Sequence, residues 1–411
     1  MLFLYRFLIN IIFLLSPIII LFRLFKKKEN LYRFREKFCF FSEKRIKGKL
    51  IWFHGASVGE IQSIVPILEK LEKEKNIKKV LITSNTLSSS KIINKLKFKK
   101  IIHQFFPIDT NYLSSKFIEY WKPSAAYFID SEIWPNTIIN LKKRKIPITL
   151  INGRITLKTF NKWKILPNFS KYIFSQFNNC LAASKQSKIF LEKLGVSNIK
   201  LLGNLKFSQS QNEKLKIEKK LKRFIYSKKT WCASSTHYPE EKYCGLIHKK
   251  LKNKHKNLLT IIIPRHINRT KSIQNDLDEL GLKTQTHEPF KKINKDVDIY
   301  IINSYGKTKS FFNSCKTVFL GGSLIKHGGQ NPLEATRYGC NILHGPSVEN
   351  FKEIYEFLRK NKISSEIKNH NLAIKKLDKL LMNKNNSKNI KRKLKSIGKK
   401  ILKKTYKEII F

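Results

Sequence analysis

The chain has 411 residues, with 83 Lys and Arg against 29 Asp and Glu, a formal net charge of +54. That length exceeds one ordinary core and suits two domains, and an apolar content of 41% is enough to fill both. Six cysteines without paired spacing (Cys39, Cys180, Cys232, Cys244, Cys315, Cys340) argue against a disulfide framework or a zinc site and suit a reducing compartment.

Two readings of the charge compete. One is unspecific nucleic-acid binding by a polycation. The other is a lysine drift in composition combined with attraction to an anionic membrane surface. The lysines run through the whole chain alongside inflated isoleucine and asparagine, and no nucleic-acid module signature appears. The second reading is therefore preferred, and no specific nucleic acid is expected as a partner.

The chain opens with "MLFLYRFLINIIFLLSPIIILFRLFKKKEN". Phe7 to Phe22 is nearly all apolar and, with its flanks, reaches a bilayer-spanning length of about 20 residues. No small-residue cleavage site follows, which argues against a removable signal peptide. Arg23, Lys26, Lys27 and Lys28 outnumber the single Arg6 before the run, so the remaining chain is expected on the cytoplasmic side of the membrane. A true span and an interfacial helix both fit this pattern. The basic, aromatic "RFREKF" (residues 33–38) suits lipid headgroups.

Beyond residue 48, short apolar runs alternate with helix-period stretches. The predicted strands of the first half are Leu50–His54, Val80–Ser84, Ala125–Asp130, Ile148–Asn152 and Cys180–Ser184, closed by "IKLLGN" (residues 199–204). The series restarts with Trp231–Ser234, Leu259–Pro264, Asp298–Asn303, Val318–Gly322 and Asn341–Gly345. Such alternation predicts parallel α/β units, here two Rossmann-like domains facing each other across a cleft. The polar, lysine-rich residues 206–229 are the expected hinge. The expected division is an anchor over 1–28, a first domain over 29–205, a second over 206–371 and a helical tail over 372–411.

Open parallel sheets bind ligands at the carboxyl ends of their strands, and several unusual stretches fall there. In "HGASVGE", Glu60 lies in the first turn of a helix behind two glycines. Unpaired N–H groups and the helix dipole favour its ionised form, so it is a candidate base at neutral pH; it also reads as an ordinary helix-start acid. "FIDSEIWPNT" places Asp130, Glu132 and Trp134 at a strand end, suited to a sugar site or to capping. "GNLKF" puts Lys206 at the boundary, where it either meets an anion or is simply solvated. In "ASSTHYPEE", the hydroxyls of Ser234, Ser235 and Thr236 cap a helix or bind phosphate. "IIIPRH" ends in Arg265, able to clamp a phosphate, and His266. In "FLGGSLIKHGGQNPLEATRYG", Gly321, Gly322 and Ser323, then Gly328, Gly329 and Asn331, read as a phosphate cradle at a helix start, with Glu334 placed for ribose hydroxyls. The Asp276/Asp278 and Asp296/Asp298 pairs do not have the context of a nucleotide-sugar metal motif. No metal and no cofactor is expected.

In that order, "HGASVGE", "SEIWPN", "NGRIT", "GNLKF", "SSTHYPEE", "PRH" and "GGSLIKHGGQNPLEA" resemble the 3-deoxy-D-manno-oct-2-ulosonic acid (Kdo) transferases of lipopolysaccharide assembly. The likeness runs from the N-terminal anchor to "GPSVENF". It implies a GT-B fold and transfer of Kdo from CMP-Kdo to a phosphorylated lipid A precursor, lipid IVA, at the cytoplasmic face of the inner membrane, with inversion and without an active-site metal. By position, Glu60 matches the family's catalytic base and Glu132 a second required carboxylate on the acceptor side. Arg265, Ser323, Gly328, Gly329, Asn331 and Glu334 match the donor side, with Lys206 and Ser235 as further anion contacts. The chain departs from the pattern at Asp130 (usually glutamate), at Gly153 (usually alanine) and at "NSYGKT" (residues 303–308), where two acids are lost and Lys307 appears. Another membrane-associated GT-B enzyme using a UDP-sugar is the alternative.

Overall fold

The computed structural model describes residues 1–209, 217–289, 292–383 and 386–409. The chain divides into two compact units, Met1–Ser210 with Ile397–Phe411, and Gln211–Ser396. The first unit holds β1 (Leu50–His54), β2 (Lys79–Ser84), β3 (Ile101–Phe105), β4 (Ala125–Ile129), β5 (Ile148–Gly153), β6 (Asn179–Ala182) and β7 (Ile199–Leu201). They form one sheet in the order β3-β2-β1-β4-β5-β6-β7, every pair parallel.

The second unit repeats the plan. Its strands β8 (Lys229–Thr236), β9 (Leu258–Pro264), β10 (Thr284–Thr286), β11 (Ile299–Ile301), β12 (Thr317–Leu320), β13 (Asn341–His344) and β14 (Ser364–Glu366) order as β10-β11-β9-β8-β12-β13-β14. These pairs too are all parallel. Both are Rossmann-like units, the fold class expected from the sequence.

The predicted strands are all present, Leu50–His54 with its ends as expected and the others with shifted ends. β3, β10 and β14 went unpredicted. "TQT" and "SSE" are three-residue polar segments, and all three strands lie at or next to a sheet edge, where pairing rather than apolar pattern makes the strand.

The central strands are buried on both faces because helices cover both sides. In the second sheet, Trp231 and Ala233 point into one core with Phe319 and Leu343. Cys232 between them points into the other, with Ile261 and Val318. In the first, Trp52 packs among Phe117 and Phe128 with ring centroids 5.1 and 5.6 Å away. All six cysteines are free and buried.

Residues 372–382 and 387–407 are helical, but the division cuts through the second stretch. The long helix Ser387–Lys407 has its last part in the first unit. A side chain on Gly398 would lie 2.4 Å from the Phe207 carbonyl oxygen, so only glycine permits this packing. Tyr406 donates to Glu74 at 2.6 Å and Lys200 pairs with Glu408 at 2.6 Å. In the expected hinge, residues 210–216 lie outside the described residues. Lys206 falls in the first unit, and residues 219–227 form a helix.

The Gly398 packing yields a stability prediction. Gly398→Ala should lower the midpoint of thermal unfolding, by the equivalent of about 1–3 kcal/mol of overpacking. An unchanged midpoint would show that the helix can draw away from Phe207 without loss.

Candidate active site

In each sheet the strand order reverses once, and a crevice opens where neighbouring loops part in opposite directions. In the first sheet this lies between β1 and β4. Ser57 caps the helix Val58–Leu71 in a capping box whose third residue is Glu60. Glu60 Oε2 accepts from the Ala56 and Ser57 N–H groups at 2.7 and 3.3 Å. Its Oε1 accepts from the Ser57 hydroxyl at 2.7 Å. A carboxylate offers about four lone-pair sites, so Oε1 retains one for a substrate hydroxyl.

The charge state of Glu60 is not the expected one. Burial, with the Glu132 and Asp130 carboxylates, pushes its pKa up to about 7, against the pull of the Ser57 bonds. The helix-start groups act as the sequence suggests, but desolvation and like charge outweigh them. Glu60 is thus poised at neutrality, where a general base is most useful.

Across the crevice, the loop after β4 carries Glu132. Its Oε2 accepts from Trp134 Nε1 at 2.9 Å and lies 3.2 Å from His54 Nε2. Burial raises the Glu132 pKa, but the bonds from His54 and Trp134 prevail and hold it below its ordinary value. His54, at the end of β1, is buried and stacked on Phe106 at 3.9 Å. Its Nδ1 meets the Thr83 hydroxyl at 2.9 Å, and Trp52 Nε1 donates to that same oxygen at 2.9 Å. Trp52 N–H to Thr83 to His54 Nδ1, then His54 Nε2–H to Glu132, is a consistent chain that fixes the imidazole and aims it at the carboxylate. Sequence reasoning missed His54. Its signal was a lone polar residue closing an otherwise apolar strand.

Asp130 has a left-handed backbone, φ 57°, and is held by Asn152 and by Lys206 at 2.9 Å. Lys206, an expected anion contact, thus has its ammonium on Asp130. A tertiary carboxylate claimed the cation.

The crevice of the second sheet lies between β8 and β12. It is filled by Glu240, which is buried. Glu240 Oε2 accepts from His237 and Gly322 N–H at 3.0 and 2.7 Å, and Oε1 from Ser323 and Leu324 N–H at 3.0 and 2.9 Å. The first half of the expected phosphate cradle is therefore already occupied by this carboxylate. Gly321 is required there, because a Cβ would lie 2.5 Å from the Ser235 carbonyl oxygen.

Ser323, an expected donor contact, has its hydroxyl engaged within the fold. It is fully buried, its hydroxyl donating to Leu320 O at 2.5 Å and accepting from Gly345 N–H at 2.8 Å. The second glycine pair also spends its N–H groups internally, Gly328 on the Ser347 hydroxyl at 3.1 Å and Gly329 on Gly322 O at 2.9 Å. Asn331 turns its side-chain oxygen to Leu333 N–H at 3.1 Å, and the helix it starts has only five residues. Glu334 is exposed on that helix. Glycine-rich sequence signals free N–H groups only while no acceptor arrives from elsewhere, and Glu240 arrives from another loop.

What the second unit offers an anion is side-chain charge. His237 lies 4.5 Å from His327 and 5.5 Å from His266, ring to ring. Burial, then His327, His266, Arg265 and Arg269, push the His237 pKa down to about 4. Its Nε2 is buried without a hydrogen-bond partner. Arg265 and His266 are exposed at the end of β9. Ser235 sits beside this cluster in a left-handed conformation, φ 56°, at the β8 bulge. Arg269 is engaged with Glu241 at 3.0 and 3.3 Å. In the departing "NSYGKT" loop, Lys307 Nζ lies 2.6 Å from His287 Nε2. Among the described residues no group of three or more His, Cys, Asp or Glu is placed to hold a metal ion.

The family model described as 3-Deoxy-D-manno-octulosonic-acid transferase (kdotransferase) matches residues 32–209. A Rickettsia bellii protein named 3-deoxy-D-manno-octulosonic acid transferase is 32% identical over 92% of this chain and 91% of its own length. A Rickettsia felis protein of the same name is 34% identical over 83% of this chain and 73% of its own. The crystal structure of a UDP-GlcNAc 2-epimerase from Neisseria meningitidis aligns with a TM-score of 0.56 at 16% identity, covering 87% of this chain and 100% of that one. At that identity the likeness concerns the GT-B-type fold alone.

Glu240 generates a prediction here. Glu240→Gln turns an amide donor toward backbone donors and should destabilise the second unit by about 3 kcal/mol. The measurement is urea unfolding followed by fluorescence; a midpoint equal to that of the wild type would mean the four N–H groups do not depend on the charge.

Proposed function

Since the chain belongs to the 3-deoxy-D-manno-octulosonic acid transferase family, and is therefore a glycosyltransferase moving Kdo, we propose that the donor is CMP-Kdo and the acceptor the phosphorylated lipid A precursor, lipid IVA, with inversion at the anomeric carbon. The single observation that carries the reading is Glu60, a carboxylate with a free lone pair and a pKa near 7, beside a second carboxylate held ionised by a fixed histidine.

In this mechanism a hydroxyl of the acceptor sugar gives its proton to Glu60 Oε1 as its oxygen attacks the donor's anomeric carbon. A new C–O bond forms, the bond from that carbon to the phosphate oxygen breaks, and CMP leaves with the electron pair. Glu132 keeps Glu60 basic by repulsion and can hold a neighbouring sugar hydroxyl. The second unit takes the nucleotide. Arg265 meets the phosphate, and the unpartnered His237 Nε2 adds a hydrogen bond; a bound anion also raises the His237 pKa toward protonation. Glu334 is assigned to the ribose. The roles of Gly328, Gly329 and Asn331 reduce to shaping the loop that presents His327. The apolar N-terminal helix anchors the enzyme, with both units on the cytoplasmic side.

Glu60→Gln should lower kcat by about 10² or more with little change in either Michaelis constant. The wild-type rate should rise with pH through about 7, falling tenfold per unit on the acid side, and the variant should lose this limb. A limb that persists in the variant would assign the proton to another group, Glu132 first.

Glu132→Gln removes a like charge and should move the midpoint of the limb to lower pH. A midpoint that stays put would mean the two carboxylates do not couple. Arg265→Ala should raise the donor's Michaelis constant and leave the acceptor's alone; the reverse would overturn the donor-side assignment.

A further inference from the structure

The helix Leu2–Phe25 is long and apolar enough to cross a membrane, and most of it is exposed. Length does not separate crossing a bilayer from lying in one leaflet, but contacts do. Tyr5, Ile9, Phe13, Ser16, Ile20 and Leu24 recur at spacings of three and four, one face of the helix. With Leu2, Arg6 and Arg23 they are the partly or fully covered positions along its whole length. Phe13 packs against the core of the first unit, its ring 6.0 Å from Phe38, and Ser16 and Ile20 are buried.

Both ends are tied to the same unit. Near the start, Tyr5 donates to Asp109 at 2.8 Å, and Arg6 donates to Asn136 at 3.0 Å and Asn111 at 3.1 Å. At the other end, Arg23 pairs with buried Glu29 at 2.6 Å, which Lys37 also holds. The Lys37 carbonyl in turn accepts from Ile108 N–H at 3.0 Å. A helix of this length is a rod of roughly 36 Å, and the hydrocarbon core is about 30 Å thick. A helix standing across the bilayer would carry Tyr5 and Arg6 to the far side, out of reach of Asp109, Asn111 and Asn136.

The outward face is apolar apart from Asn10, with Phe3, Phe7, Ile11, Leu14, Ile18 and Phe25 all exposed. Exposed Lys26, Lys27 and Lys28 follow it directly. At the N-terminal end, Tyr5 lies 6.3 Å from Phe169, ring to ring, in a helix that exposes Tyr172 and Lys171. So large an apolar face beside lysines fits the acyl boundary and phosphates of an anionic leaflet.

We propose that the N-terminal helix lies flat in a single leaflet of an anionic bilayer, clamped lengthwise to the first unit, and does not cross the membrane. The inference rests on the membrane-anchor reading and decides its geometry.

The test places one cysteine at a time at the exposed ends, Phe3→Cys and Phe25→Cys, in the full chain. The six native cysteines are buried, so an impermeant maleimide applied to spheroplasts reports the new thiol. Both positions should behave alike, unreactive in intact spheroplasts and labelled after lysis. Labelling of Phe3→Cys from outside while Phe25→Cys stays protected would overturn the proposal and leave the anchor reading intact. A full-length chain recovered in the soluble fraction would overturn both. A nitroxide on Leu14→Cys gives a second readout. Its depth should match those at the two ends, within about 5–10 Å of the headgroup boundary; a position at the bilayer midplane would overturn the flat geometry.

Discussion

A parallel sheet delivers every strand's carboxyl end, and the N-terminus of the helix that follows, to one edge, where backbone N–H groups lack intrahelical partners. Each unit answers that need at its crevice with a glutamate, and the two answers differ. Glu240 takes four N–H groups, two per oxygen, and is buried. It is saturated and has nothing left to offer a substrate. Glu60 takes two N–H groups and one hydroxyl and sits against two other carboxylates. Its bonds do not fully compensate its burial, so its proton affinity rises. One carboxylate is used up in holding loops together, while the other is left short of partners, which is the condition for taking a proton.

The same contrast explains what was legible in the sequence. Central strands such as "LIWFH" and "LLTIIIP" could be read directly, because double-sided burial demands unbroken apolar runs. Glu60 was legible as a position, since a first-turn acid behind glycines has few places to be. Its charge state was not, because its burial is tertiary and the carboxylates that raise it further, Glu132 and Asp130, come from the loop after β4. His54 was hidden inside a strand whose neighbours announced core. Ser323, Gly328 and Gly329 looked like a cradle because local sequence shows donors and conceals acceptors. Glu240 lies 82 and 83 residues from the N–H groups of Gly322 and Ser323, and no local pattern reports such a contact.

Charge behaves similarly. A net charge of +54 leaves few acids to go round, yet carboxylates hold the key junctions. Asp130 takes Lys206, Glu29 takes Arg23 and Lys37, Glu241 takes Arg269, and Asp298 takes Lys252 and draws His248 to 3.4 Å. These cation-paired acids are therefore structural. Among the described residues no lysine or arginine is paired with Glu60, and its neighbours include two carboxylates. Glu60 differs from Glu240, which also takes no cation, in facing two carboxylates.

The geometry of the N-terminal helix bears on the same crevice. Asp109 is fully buried and receives the Asn136 and Thr137 N–H groups at 3.0 and 2.9 Å, the first turn of the helix Pro135–Lys143. That helix begins where the Glu132–Trp134 loop ends. Tyr5 donates to Asp109, and Arg6 to the Asn136 side chain. The N-terminal helix thus grips the residues that fix where the Glu132 loop leaves the sheet. Burial pushes the Asp109 pKa up to about 6 despite these bonds, so each donor matters to keeping it ionised. Losing Tyr5 removes one donor and leaves three, the two N–H groups and the Thr137 hydroxyl. The loop would keep its place while Asp109 became easier to protonate. The N-terminal helix and the Glu132 loop therefore share one carboxylate, and the coupling between them is electrostatic before it is conformational.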